Sequence, residues 1–162
     1  MLLKTSKEIY FLDMALRCAK QGNCLRRNYG SVLVDNYGCV VATGYTGVPK
    51  KRLHCVKCWR QENNIPSGRN YEKCRSVHSE MNAVIQAGKM ARGCTLFLSG
   101  YDVATGNEIL NPKPCFLCIK TLVNADVRDI IFKNENGDVV IADVIDMYNQ
   151  IERETFIQDD KK

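Results

Sequence analysis

The sequence has no run that approaches the roughly 18 apolar residues of a membrane-spanning helix. It opens on Met-Leu-Leu-Lys, without the apolar stretch of a secretory signal. A cytoplasmic protein is the expectation. There is no internal repeat, and no low-complexity tract beyond the charged tail at 159–162, which sets aside solenoids and compositionally disordered chains. Nor is there a dense basic stripe interleaved with aromatics: ahead of the charged tail, Lys and Arg adjoin one another at Arg26-Arg27 and Lys50-Lys51-Arg52 and are otherwise scattered. A net charge of +5 is compatible with an anionic small ligand, nucleic acid or a solvated surface, and the missing stripe speaks against nucleic acid.

What is present suffices for one sizeable core. The 162 residues are 45% hydrophobic, and two domains would be cramped at this length, so residues 1–162 read as a single domain. Cysteine is plentiful and odd in number, at nine. In a reducing compartment, closely spaced cysteines point to metal ligation or catalysis more than to disulfides, which makes zinc the first ion to consider.

Thr5-Ser6-Lys7-Glu8 reads as a capping box, followed by a helix with Ile9, Leu12, Leu16 and Ala19 on one face and an end at Gly22. Tyr29–Val34 and Cys39–Thr43 read as a hairpin about Asn36-Tyr37-Gly38. Periodicity then vanishes from about 49 to 75, an irregular insert of the kind that is functional or metal-braced. A second helix is expected from Ser76, with Val77, Met81, Val84 and Ile85 as its buried stripe. There follow a strand at Thr95–Leu98, a long loop from Gly100 to Pro114, a helix at Cys115–Asn124, a strand at Asp129–Phe132 and a last helix from Ala142. The order predicts an α/β fold, a three-layer α/β/α sandwich with a mixed central sheet.

Two short strings carry the chemistry: His78-Ser79-Glu80 and Pro114-Cys115-Phe116-Leu117-Cys118. Alone, Cys-x-x-Cys can be a redox pair or a structural zinc knuckle, and His-x-Glu is common by chance. Together they stand at the starts of two helices flanking one strand. Cys115 and Cys118 lie on one side of a first helical turn, where free N–H groups favour thiolates. Two thiolates and a neutral histidine leave a fourth tetrahedral position for water, the pattern of a catalytic zinc. Glu80 stands about 200° around a regular helix from His78, so both can face one cavity only at the helix entrance. A carboxylate there can take a proton from water and pass it on, which fits hydrolytic deamination. The alternative is a closed site completed by a fourth cysteine, with Glu80 merely solvated.

These strings resemble the cytidine and deoxycytidylate deaminase family, whose signature H-x-E…P-C-x-x-C they match. The deoxycytidylate branch is favoured by Cys24-Leu25-Arg26 leading to Gly30, by Gly44-Tyr45-Thr46-Gly47-Val48-Pro49, by His54-Cys55, and by Cys74-Arg75-Ser76-Val77 before His78. The resemblance implies the cytidine deaminase-like fold and conversion of dCMP to dUMP with release of ammonia. It implies His78, Cys115 and Cys118 as zinc ligands, Glu80 as catalytic proton shuttle, and assembly into a homo-oligomer, dimer or hexamer. It also implies a second, structural zinc among Cys24, Cys55, Cys58 and Cys74, with His54 as alternate; independent thiols are the other reading. Cys18, Cys39 and Cys94 read as core residues.

Three features depart from the family pattern. Thr46 stands where relatives carry a substrate-contacting Asn, Ser79 replaces the commoner Ala, and the connection from Leu98 to Pro114 is long enough for Tyr101, Asp102 or Glu108 to line the pocket. The substrate-binding candidates are therefore Arg26, Thr46, Ser79 and Tyr101, with Lys50 or Arg52 as further partners for a phosphate. Trp59 and Tyr71 can stack on a base or pack within the insert. A small-molecule nucleotide is the expected partner, rather than a membrane or nucleic acid. Deamination of another base or nucleoside (cytidine, guanine, tRNA adenosine) and a non-catalytic zinc module are the competing readings.

Overall fold

A computed structural model describes residues 5–66 and 68–157. The hydrophobic alternation of its strands builds two apolar layers on one sheet. Val32, Val34, Phe97 and Ile131 face one way and pack on Phe11, Leu12 and Ala15 of helix α1 (Lys7–Ala19). Their neighbours Leu33, Leu96, Leu98, Ile130 and Phe132 face the other way. They meet Ala83 and Ala87 of α3 (Ser79–Ala87), Ile119 and Leu122 of α4 (Phe116–Asn124), and Val144 and Met147 of α5 (Val144–Ile157). The result is the expected three-layer sandwich.

The five strands are β1 (Arg27–Val34), β2 (Val40–Tyr45), β3 (Thr95–Asp102), β4 (Asp129–Lys133) and β5 (Val139–Asp143), ordered β2-β1-β3-β4-β5. Only β3 and β4 pair in parallel; the other neighbours are antiparallel. Among the described residues no helix is long and apolar enough to cross a membrane.

Several local details correct the sequence-based expectations. Ser6, not Thr5, caps α1, accepting the Ile9 amide at 3.2 Å, and Phe11 and Ala15 are buried where Ile9 and Leu16 are only half-buried. The expected stripe on α3 is displaced: Ser79, Glu80, Ala83 and Ala87 are buried, while Ile85 is 70% exposed. The cause is close approach, since a Cβ on Gly44 of β2 would collide with the Ser79 carbonyl and Ala83 amide. Only small side chains fit between helix and strand at that distance. The last helix starts at Val144 because Ala142 and Asp143 are still paired with β4, and the Asp143 carboxylate accepts the Ile145 and Asp146 amides. Within the insert, α2 (Trp59–Glu62) and a 3₁₀ turn at Tyr71–Lys73 interrupt the irregular backbone. Of the three cysteines assigned to the core, Cys94 is buried, Cys18 half-buried and Cys39 exposed at the hairpin end.

On the opposite face, Gly30 of β1 makes the matching approach to α1, where a Cβ would collide with the Ala15 carbonyl and crowd the Ala19 amide. Gly30→Ala should therefore force α1 off the sheet and lower stability by about 3 kcal/mol, read as a shifted urea midpoint. An unchanged midpoint would show that α1 does not dock this closely.

Candidate active site

β3 runs back from the end of α3, and a loop from its far end leads into α4. The N-termini of α3 and α4 therefore meet at the C-terminal end of β3. His78 is the N-cap of α3, in extended conformation with ψ 155°. Cys115 is the N-cap of α4, with ψ 168°, directly after Pro114. The break from helical geometry at His78 lets its ring and the Glu80 carboxylate share one cavity, as the helix-entrance argument requires.

The His78 Nδ1 lies 3.4 Å from the Cys115 Sγ and 3.3 Å from the Cys118 Sγ, and all three donor atoms are within 4.8 Å of one another. Among the described residues no other group of three or more His, Cys, Asp or Glu donors is so placed. Nitrogen and sulfur ligands on a tetrahedral zinc stand about 3.5 Å apart, so this set fits the ion. The electrostatics agree. The Cys118 thiol donates to Cys115, which, against the effect of burial and with help from His78, brings Cys115 down to about 4. The same contact, with burial, pushes Cys118 upward. Burial pulls His78 down, but its hydrogen bond to Cys115 and the charges of Glu80 and Cys115 outweigh that and raise it.

Glu80 is 5% exposed. Burial lifts its carboxyl above the usual range, opposed by His78 and by the Ser79 hydroxyl. That hydroxyl donates to Glu80 Oε2 at 3.0 Å and accepts from the Ser31 hydroxyl at 2.8 Å. Both serines are fully buried, so the chain of hydroxyls fixes one carboxylate oxygen and leaves Oε1 without a direct partner among the described hydrogen bonds.

His78, Glu80 and Cys115 line a cavity of about 540 Å³. Arg26 and Thr46 line it too, though the Thr46 hydroxyl is already engaged by the Tyr29 amide at 3.1 Å. Ser79 turns toward Ser31 and Glu80 instead. Tyr101 is a correction, because its side chain is not part of the cavity wall: β3 extends to Asp102, and strand alternation puts Tyr101 on the α1 side with Phe97 and Ser99. Its hydroxyl accepts from Asn28 at 3.3 Å and its ring lies 3.6 Å beneath the Lys20 ammonium. Asp102, of opposite parity, does reach the cavity. Glu108 instead pairs with Lys133 at 2.9 Å, bracing the long loop so that Ile109 to Lys113 form a wall.

Cys24, Cys58 and Cys74 line this same cavity, and Cys55 does not; the four do not form a donor set within the 4.8 Å seen at His78. The His54 Nε2 is 3.4 Å from the Asn23 amide nitrogen, and Lys50 and Arg52 are exposed away from the cavity. The Tyr71 and His78 rings are perpendicular, with centroids 5.0 Å apart, while Trp59 lies beneath Lys73 at 5.4 Å. Sequence reasoning missed Arg27, Arg60, Lys113 and Tyr29, all on the cavity wall. For Arg60 no periodicity in the insert offers a signal; for Arg27 the start of β1 two residues before the expected strand is the only one.

A model of the family described as the cytidine and deoxycytidylate deaminase zinc-binding region matches residues 5–134. The chain is 29% identical over 133 residues to a deoxycytidylate deaminase of Schizosaccharomyces pombe, an alignment covering 80% of this chain and 37% of that protein. A deoxycytidylate deaminase of Saccharomyces cerevisiae is 27% identical over 133 residues, covering 81% and 38%. The chain thus spans little more than a third of the length of these two curated relatives. Among solved structures, the dCMP deaminase of cyanophage S-TIM5 in complex with dCMP and dUMP superposes with a TM-score of 0.60 at 22% identity, covering 93% of this chain and 95% of that one. That likeness is one of fold. Since the family model spans most of the sequence and its signature residues converge at one cavity, the chain belongs to the cytidine and deoxycytidylate deaminase family.

Proposed function

We propose that this protein deaminates a cytosine nucleotide by hydrolysis, with dCMP and water giving dUMP and ammonia. The observation that carries the reading is a buried carboxylate, Glu80, beside a three-donor metal set at the floor of a cavity. The cytosine-nucleotide relatives support it. Arg26, Arg27, Arg60 and Lys113 on the cavity wall suit an anionic substrate.

His78, Cys115 and Cys118 would hold zinc, which when bound supplies Lewis acidity and activates water at neutral pH. Glu80 does the proton work. Its carboxylate accepts a proton from the attacking water as the oxygen bonds to C4 of the pyrimidine. It delivers that proton to the ring nitrogen N3, and then carries the proton of the new C4 hydroxyl to the amino group, so that the C4–N bond breaks, ammonia leaves and the C4 carbonyl forms. A carboxyl raised by burial suits a group that must hold a proton between two transfers. The Ser31–Ser79 hydroxyls keep Oε2 in place while Oε1 handles the traffic. Cys24, Cys55, Cys58 and Cys74, with His54 as alternate, remain the proposed second zinc set. Three of the four thiols already face one cavity, and the ion would have to draw them together.

An ammonia-release assay over dCMP, deoxycytidine, cytidine, guanine and tRNA tests the substrate class, with dCMP expected to be turned over most efficiently. Glu80→Gln should keep its zinc, counted by atomic absorption, yet lose about 10³-fold in turnover; retained activity would assign the proton transfers elsewhere. Ser79→Ala should cost about tenfold in kcat with KM and zinc content little changed, since a hydrogen bond to a charged group contributes about 1.5–3 kcal/mol.

A further inference from the structure

The insert places one charge that neither metal binding nor proton transfer uses. Arg60, on α2, is only 7% exposed. Its Nη2 donates to the Pro66 and Arg69 carbonyls at 2.7 and 2.8 Å, and its guanidinium lies 4.2 Å over the Tyr71 ring. The Nε is buried with no hydrogen-bond partner, and none of the ion pairs among the described residues includes Arg60.

A guanidinium keeps its charge at any working pH. Burying it without a counter-ion costs several kcal/mol, which two carbonyls and one ring face offset only in part. The other cations on the wall differ. Arg27 is half-exposed and 3.8 Å from Asp102, Lys113 is exposed and Arg26 half-buried, so water screens them. Arg60 also stands at a useful place. Tyr71 packs its ring perpendicular to that of His78 and carries Arg60 on its face, so the guanidinium is one aromatic ring removed from the metal set, on the same cavity wall.

We propose that Arg60 is the specificity-determining cation of this site: it takes the phosphate of the nucleotide while the amino-bearing carbon of the base sits between His78 and Glu80. The inference rests on the cytosine-nucleotide reading. It also gives the insert a role, since α2 and the carbonyls of Pro66 and Arg69 aim the one Lys or Arg that is buried among the described residues. The phosphate then brings the missing counter-ion, and the nucleoside, which has none, leaves the charge uncompensated.

Steady-state kinetics of dCMP and deoxycytidine on wild type, Arg60→Lys and Arg60→Gln tests this. Arg60→Gln should raise the KM for dCMP and lower the ratio of kcat/KM for dCMP over deoxycytidine by about tenfold or more, as loss of a charged hydrogen-bond partner implies; Arg60→Lys should restore part of that ratio. A nucleotide preference that survives Arg60→Gln unchanged overturns the assignment and leaves the deaminase reading standing, whereas turnover of neither compound by wild type takes both down. Should Arg60→Gln not fold, inorganic phosphate on wild type decides. It should compete with dCMP and shift the emission of Trp59, the single tryptophan and the neighbour of Arg60. Competition with no change in that emission would put the phosphate elsewhere and overturn the proposal.

Discussion

Three donor atoms from two separate helix starts have to arrive within a few ångströms of one another, and most of the fold serves that meeting. His78 sits one residue outside α3 and Cys115 one residue outside α4, where the backbone is still extended and the first amide groups of each helix point at the same space. What holds the two starts together is the sheet between them. Gly44 lets α3 approach β2 closely enough that only Ser79 and Ala83 fit in between, and the parallel pairing of β3 with β4 returns α4 to the same end of the sheet. A side chain at Gly44 would strike the Ser79 carbonyl and the Ala83 amide and push the start of α3, with His78, away from the sheet.

Around that centre the protein buries charge in two different ways. Glu80 is compensated from within, by a neighbouring imidazole and by a fully buried serine pair that donates toward one of its oxygens. Arg60 is only partly compensated, by carbonyls and an aromatic face. The first arrangement suits a group that exchanges protons without moving. The second leaves an electrostatic demand that an anion can meet, at a cost in stability for as long as it is unmet. Both charges border the same cavity.

Much of this was legible without coordinates. The layer order, the mixed sheet and the two signature strings follow from short-range rules: alternation for strands, spacing for helix faces, and residue types that suit a soft metal. Their errors were short-range too. The cap of α1 moved by one residue, the α3 stripe turned toward its small residues, and β3 ran on to Asp102, reversing the side on which Tyr101 had been expected. The last two came where contact with another element overruled a local preference: Gly44 for α3, and the pairing of β1 with Asp102 for β3.

The sequence alone determined the donor types of the three-residue set and the carboxylate beside it, because His78, Glu80, Cys115 and Cys118 lie in two short strings whose geometry depends on little beyond the first turn of a helix. Tertiary structure decided the rest of the cavity: that Arg60 is buried while Lys50 and Arg52 face solvent, that Thr46 is occupied by backbone, and that Ile109 to Lys113 close one wall. A cavity wall is assembled from residues far apart in the chain, and which of them face inward depends on where strands end and on how an aperiodic insert folds back. No local pattern encodes either.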